Sequence, residues 1–274
     1  MVMLLNALKI KNMNKNYIYP KLMANKDLLF FRIGGSGLAN CLFVYARAIH
    51  YAHKTGAMII TPTWQKFSIG TYIRREKDKR RYVDLFTSEN EMNGIRKLYA
   101  VLFGRPHIEQ GLQNYFCDFI DDADYIRDYI ISHIRLSIRT VVDKFDFRHC
   151  VAVHIRLGDF PKEHRTPLEW YRKKIITKGR EGNYRFLLFS DGTDEELRDL
   201  MALPNVVRVF FGNAIADIYA ISKCCYMIGS DSTFSGWGAF LGQVPCVFFR
   251  KHYGRVLVDE SKEIVEDSIN TWLN

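Results

Sequence analysis

From about residue 28 to residue 249, short apolar runs alternate with stretches in which apolar residues return every three or four positions. Leu28 to Ile33 reads as the first strand, and Gly34, Gly35, Ser36 and Gly37 turn it straight into a helix over Leu38 to His53. Leu42, Tyr45, Ala46 and Ile49 keep helical spacing there. Ala57 to Thr61 is the next strand, closing a βαβ unit of ordinary length. A basic loop with aromatics over 65–82 and a mixed segment over 83–105 follow, the latter with a helix near Glu89 to Leu98 and a strand near Leu98 to Phe103. Ile126, Ile130, Ile134 and Ile138, four apart, predict one long helix over Phe119 to Val142. The polar, Lys/Asn-rich residues 1 to about 27 read as partly loose.

A break near 143–149 separates this half from a second with the same alternation. Its strands are Cys150 to Val153, Arg185 to Phe189, Val206 to Phe211, Tyr226 to Gly229 and Val244 to Phe249. Its helices are Pro167 to Ile176 behind a Thr166 N-cap, a capping box from Thr193 to Glu196, Ala216 to Lys223, and Gly236 to Leu241. Strand and helix in turn predict an α/β fold with mainly parallel sheets.

Composition narrows the picture a little. With 48% hydrophobic residues the chain can build a real core. A formal charge of +9 favours anionic ligands or surfaces, although the dense run Arg74, Arg75, Lys77, Lys79, Arg80, Arg81 reads first as a solvated loop. That run lacks a nucleic-acid recognition motif, so no nucleic-acid partner is expected. The six cysteines show neither C-x-x-C nor zinc spacing; Cys41, Cys150 and Cys246 lie in apolar runs, which suits buried thiols in a reducing compartment. Asp121, Asp122 and Asp124 stand at a helix start, where the helix dipole accounts for carboxylates better than a metal does. No apolar run is long enough to span a membrane, so the expectation is a cytoplasmic protein with at most peripheral membrane contact.

The candidate chemistry lies at the ends of the second-half strands. Cys150 to Val153 runs out into His154, Arg156, Gly158 and Asp159. The next strand ends in Ser190-Asp191, and a third ends in Ser230-Asp231-Ser232-Thr233-Phe234-Ser235. In a parallel sheet such ends share one edge, where open α/β sheets bind ligands. Arg156 is a planar fork suited to a phosphate, and the hydroxyl-rich turn adds side-chain and helix N-terminal donors. Together they make a pyrophosphate clamp. Taken singly, Arg156 with Asp159 is a surface ion pair and each hydroxyl turn an ordinary N-cap. In the first half the glycines fit neither G-x-G-x-x-G nor a Walker loop, and Asn40 stands in the first helical turn as a candidate polar contact.

Three motifs resemble the α-1,2-fucosyltransferases and, more distantly, the α-1,6- and protein O-fucosyltransferases. Gly37-Leu38-Ala39-Asn40-Cys41-Leu42-Phe43-Val44-Tyr45-Ala46 is similar to G-L-G-N-Q-x-F-Q-Y-A. His154-Ile155-Arg156-Leu157-Gly158-Asp159 is similar to H-x-R-R-G-D. Asp217 through Cys224, Ile228 and Ser232-Thr233-Phe234-Ser235-Gly236-Trp237 is similar to D-x-x-x-M-x-x-C-x-x-x-I-x-x-N-S-[ST]-F-S-W-W. Ser190-Asp191 also matches the family's F-S-D strand end. The resemblance implies a GT-B fold: two Rossmann-like halves facing a cleft, with 1–147 on the acceptor side and 148–274 on the donor side. It implies inverting, metal-independent transfer of fucose from GDP-fucose, with no further cofactor, to a hydroxyl of a glycan acceptor: oligosaccharide, glycolipid or glycoprotein. Arg156 would hold the β-phosphate, His154 and Asp217 the guanine or ribose, and Ser232, Thr233 and Ser235 the pyrophosphate, with Asn40 reaching in from the first half. Asp159 and Glu163 are the candidate proton acceptors, and His164 stands beside them. Leu157 in place of a second arginine removes a charge, and Asp231 in place of Asn puts an acid beside the phosphate site. Another GDP- or UDP-sugar donor, or a non-catalytic nucleotide- or glycan-binding module, is the competing reading.

Overall fold

Residues 16–23, 27–67, 80–158 and 161–266 are described by the structure, a computed structural model. The first sheet is built around β1 (Tyr17–Pro20), which lies in the stretch that reads as loose from its polar composition. Ile18 and Tyr19 are its buried residues. The expected first strand shrinks to β2 (Arg32–Ile33), because Leu28 and Phe30 point outward and only Arg32 is buried, its guanidinium donating to Cys41 Sγ at 3.2 Å. The helix after the glycines forms as expected: α1 (Leu38–Thr55), stopped by Gly56 in the left-handed region. Then come β3 (Met58–Ile59), which pairs parallel with β1, and β4 (Lys66–Phe67), which pairs with β2.

The segment 83–105 yields one helix, α2 (Gly94–Phe103), where a helix and a strand were expected. Its apolar run misleads because Ile95, Leu102 and Phe103 face solvent, while Lys97 and Ala100 are the buried positions. The strand of this region lies later, as β5 (His107–Glu109), giving the parallel order β3-β1-β5. The expected long helix is two: α3 (Ala123–His133) and α4 (Leu136–Asp143). Ile134 turns extended (ψ 129°) to bridge Phe86, and the backbone N–H groups of Thr87 and Arg135 bond across to His133 and Leu85. The isoleucine spacing continues through this break, which hides it from a periodicity argument. Asp122, at the start of α3, ties that helix to α1, since His50 and His53 both bond its carboxylate.

The second sheet has six parallel strands: β6 (Cys150–Ile155), β7 (Arg185–Ser190), β8 (Val206–Arg208), β9 (Tyr226–Gly229), β10 (Cys246–Phe249) and β11 (Glu263–Glu266). β11 lacks an apolar run and is invisible in the sequence. It is pinned by Glu266, whose carboxylate accepts from Trp170 Nε1 at 2.6 Å and from Lys174. The helices are α5 (Leu168–Glu181), α6 (Arg198–Met201), α7 (Ala214–Ile221) and α8 (Thr233–Gly242). Pro167, not Thr166, holds the N-cap position of α5; Asn213 caps α7 through Ala216 N–H. The Thr193–Glu196 capping box closes reciprocally but starts only a turn ahead of the short α6. Cys41, Cys150 and Cys246 are buried thiols, as expected. No helix among the described residues is long and apolar enough to cross a membrane.

The two sheets are joined by α1 lying against α8. Phe43 meets Trp237 at 5.0 Å between ring centroids, and Phe116 wedges in at 4.7 Å from Phe43 and 5.0 Å from Trp237. One apolar cluster therefore runs through both halves. This seam explains Gly236, which stands where the related motif carries Trp. A Cβ there would sit 2.9 Å from both Phe116 and Tyr253, so the family's tryptophan has no room. Gly236→Trp is expected to lose about 3 kcal/mol or more of stability by overpacking, read as a lower urea midpoint.

Candidate active site

The chain lays β6, β7 and β8 outward in one direction, then returns to place β9, β10 and β11 on the other side of β6. The order reverses between β6 and β9. Crevices beyond the carboxyl ends of strands at such a reversal are where open α/β sheets bind ligands. His154 lies opposite Gly229 across this pair, so the polar end of β6 and the hydroxyl turn after β9 meet there.

His154 is buried, with Nδ1 2.6 Å from Ser235 Oγ and 3.2 Å from Ser230 Oγ. The two hydroxyls are 3.3 Å apart, and the imidazole stacks on Phe234 at 4.7 Å. Burial pushes His154 down to about 4; Asp191 opposes this and Arg156 adds to it. At neutral pH the ring is therefore uncharged and serves as a hydrogen-bonding post for the turn. Ser232 caps α8, its Oγ accepting from Phe234 N–H at 3.3 Å. Thr233 Oγ1 donates to Asn40 Oδ1 at 2.7 Å, so the residue from the first half does reach the turn.

Arg156 leans the other way, toward β7, and its Nη1 donates to Asp191. The sequence offered Asp159 as its partner, but Asp159 lies outside the described residues. Asp191 is fixed in turn, its other oxygen accepting from Leu157 N–H at 2.8 Å and Gly158 N–H at 3.1 Å. Only glycine allows this: a Cβ at 158 would stand 2.5 Å from Asp191 Oδ2. Leu157, in the place of the motif's second arginine, is turned into the core of the other sheet face. A second guanidinium nevertheless comes near. Arg165 donates to Gly158 O at 3.3 Å and to Glu196 at 3.4 Å, a placement nothing in the local sequence announces.

Asp231, the acid that looked repulsive, is turned aside. It accepts from His252 N–H at 3.1 Å and lies 2.7 Å from His252 Nδ1. That hydrogen bond raises the His252 pKa, with burial opposing it. His252 follows β10, so it belongs to the same sheet edge; extending the strand-end argument to Val244 to Phe249 would have found it. Ser190 Oγ accepts from Gly192 N–H and shapes the turn before Asp191 without meeting the His154 cluster. Asp217 sits in the first turn of α7 and takes Phe211 N–H at 2.8 Å, fixing the loop after β8. Glu163 stands exposed on a short 3₁₀ turn, Lys162–His164. The arrangement thus brings together His154, Ser230, Ser232, Thr233, Ser235 and Asn40, with Arg156 and Asp191 on the adjoining strand end. A ten-residue helix points its free N–H groups at the same crevice, a ready anion site.

The family model described as Glycosyl transferase family 11 matches residues 75–249, more than half of the chain. No curated protein matches it. Among solved structures it is similar to the NodZ α-1,6-fucosyltransferase of Bradyrhizobium soaked with GDP-fucose, at 16% identity and a TM-score of 0.49, over 86% of this chain and 95% of that one. It is similar to a mutant of Arabidopsis thaliana FUT1 in complex with GDP, at 10% identity and 0.49, over 96% and 77%. It is similar to the E. coli ADP-heptose LPS heptosyltransferase II, at 13% and 0.48, over 93% and 91%.

The buried His154 has a consequence for stability. Its folded pKa lies below the ordinary 6.5, so as pH falls the unfolded chain takes the proton first. The stability that neutral His154 contributes is whole above about 6.5 and drains away toward about 4. Urea midpoints across this window should fall more steeply for the wild type than for His154→Gln, which lacks the titrating ring.

Proposed function

As this chain belongs to glycosyl transferase family 11, we propose that it moves fucose from GDP-fucose to a hydroxyl of a glycan acceptor, forming an α-1,2 linkage with inversion and without a metal. One observation carries this reading. At the reversal of strand order, a cationic strand end at Arg156 adjoins a hydroxyl turn and helix N-terminus held by His154 from one side and Asn40 from the other. Residues 148–274 would hold the donor and 1–147 the acceptor, in the GT-B manner.

The chemistry needs a stabilised leaving diphosphate and a proton acceptor for the incoming hydroxyl. Arg156, oriented by Asp191, meets the charge that grows on the departing phosphate, and the N–H groups of α8 with Ser232, Thr233 and Ser235 take its oxygens. Because the donors are fixed before reaction, they need no reorganisation as charge develops. His154 stays neutral and holds the turn in shape, and Asp217 and Ser190 fix the loops that flank the nucleotide. Asp159 and Glu163, on the segment after Arg156, are the proposed proton acceptors. The protein is proposed to be cytoplasmic, and the exposed apolar face of α2, with Arg96 and Arg105 beside it, supports peripheral contact with a membrane. The buried Leu157 favours one alternative, another GDP- or UDP-sugar donor, since the second motif arginine is missing.

A mass-spectrometric screen of GDP-fucose, other GDP-sugars and UDP-sugars against a small acceptor panel tests the reading. GDP-fucose is expected to give transfer that survives a chelator. Arg156→Ala should lower kcat by about 10²–10³-fold, the usual loss for one preorganised charge-stabilising donor. Transfer from UDP-sugars alone, or donor binding without turnover, would replace the proposal by one of its competitors.

A further inference from the structure

A cavity of ≈ 260 Å³ opens in the first half, lined by none of the residues that form the crevice of the second sheet. Its walls come from the loop after β3 (Thr61, Thr63, Trp64, Gln65), from Tyr82 to Asp84, and from the start of α2 (Asn93, Lys97). The β3 loop leaves the carboxyl end of a parallel strand, so the cavity stands to the first sheet as the diphosphate crevice stands to the second. Its size falls near the roughly 300 Å³ lower end of small-molecule sites.

The lining is a built polar site. Lys97 is buried, and its ammonium donates to Thr63 Oγ1 at 3.0 Å while lying over the Tyr19 ring. Tyr19 OH is 3.0 Å from Thr63 Oγ1 and donates to Asp27 at 2.9 Å. Burial pulls Lys97 down to about 8, with Asp27 and Glu91 opposing. The second charge in the wall, Asp84, is matched by Arg135 at 2.6 Å. The cavity therefore offers hydroxyl, amide and ammonium hydrogen-bonding groups without a strong net field. An anionic ligand gains little there, whereas a neutral polyol can use the Gln65 and Asn93 amides and the remaining N–H groups of Lys97; the Thr63 hydroxyl is already taken, donating to Leu29 O and accepting from Lys97. Trp64, stacked on Phe86 at 4.5 Å, adds fixed aromatic surface for the apolar side of a ring.

The cavity also connects to the donor turn. Tyr82 OH accepts from Leu38 N–H at 2.9 Å, at the first residue of α1. Two residues on, in the same helical turn, Asn40 accepts the hydrogen bond from Thr233. A single turn of helix thus has the cavity on one side and the hydroxyl turn on the other.

We infer that this cavity is the subsite for a neutral sugar ring of the acceptor, stacked against Trp64 and hydrogen-bonded by Gln65, Asn93 and Lys97; the inference rests on the glycosyl-transfer reading above. Two surface changes test it. Gln65→Ala removes an amide, and Val83→Trp, at a half-exposed position on the rim, fills the space. With an acceptor found in the donor screen, KM for acceptor should rise at least tenfold in Val83→Trp and severalfold in Gln65→Ala, while KM for donor moves less than twofold. Saturation-transfer NMR of methyl glycosides on the wild-type protein, without donor, should give a signal that Val83→Trp abolishes. Unchanged acceptor KM in both variants overturns the subsite and leaves the transfer reading standing. If the wild type transfers no sugar at all, the transfer reading fails, and the NMR arm still decides the cavity: a glycoside signal that Val83→Trp removes supports a sugar site, and silence from every glycoside eliminates it.

Discussion

Everything in this molecule depends on how α1 crosses α8. Each sheet has a helix-covered face, and the two faces share one apolar seam in which Phe43, Phe116, Phe119 and Trp237 interlock. Aromatic rings of this size bury about 150–250 Å² each and carry a large share of core stabilisation. The same crossing sets the chemistry, because Asn40 and Thr233 stand at the N-terminal ends of the two helices and bond each other. The seam holds the two halves in contact, and the hydrogen bond at its mouth fixes where a ligand on one half meets a group from the other.

Around that joint the polar groups are arranged as posts and braces. His154 braces two serines, Asp191 braces Arg156, and His252 holds Asp231 away from the turn. The chain's departures from the motifs it resembles become intelligible in these terms. Leu157 is a core residue because the strand end alternates, with Arg156 outward and its neighbour inward. Gly236 is small because Phe116 and Tyr253 fill the space a tryptophan would need. Asp231 carries a histidine partner that follows the neighbouring strand.

Much of this was legible in the chain because its causes are local. The run Cys150 to Val153 and the helix after Gly37 each follow from neighbours within a few residues, whereas the last helix starts at Thr233, earlier than the expected Gly236. What escaped depends on distance along the chain. Arg156 and Asp191 meet only because Ile155 and Ser190 share a register position on adjacent strands. β1 and β11 are too short, and too little apolar, to announce themselves without the strands they pair with. The break at Ile134 is imposed by Phe86 from outside the helix, against an isoleucine repeat that runs straight through. Glu163 lies exposed on the turn Lys162–His164, and the path of that loop is a matter that residue type cannot give.

The seam also carries a built-in witness. Trp237 is fully buried, and its indole N–H has no hydrogen-bond partner among the described residues. An indole in an apolar setting emits at short wavelength, and water reaching this one would shift the light to the red while satisfying an N–H that is costly to leave unpaired. Were the halves to part during a catalytic cycle, this chromophore would register the wetting; were only loops to move, it would stay dark to the event.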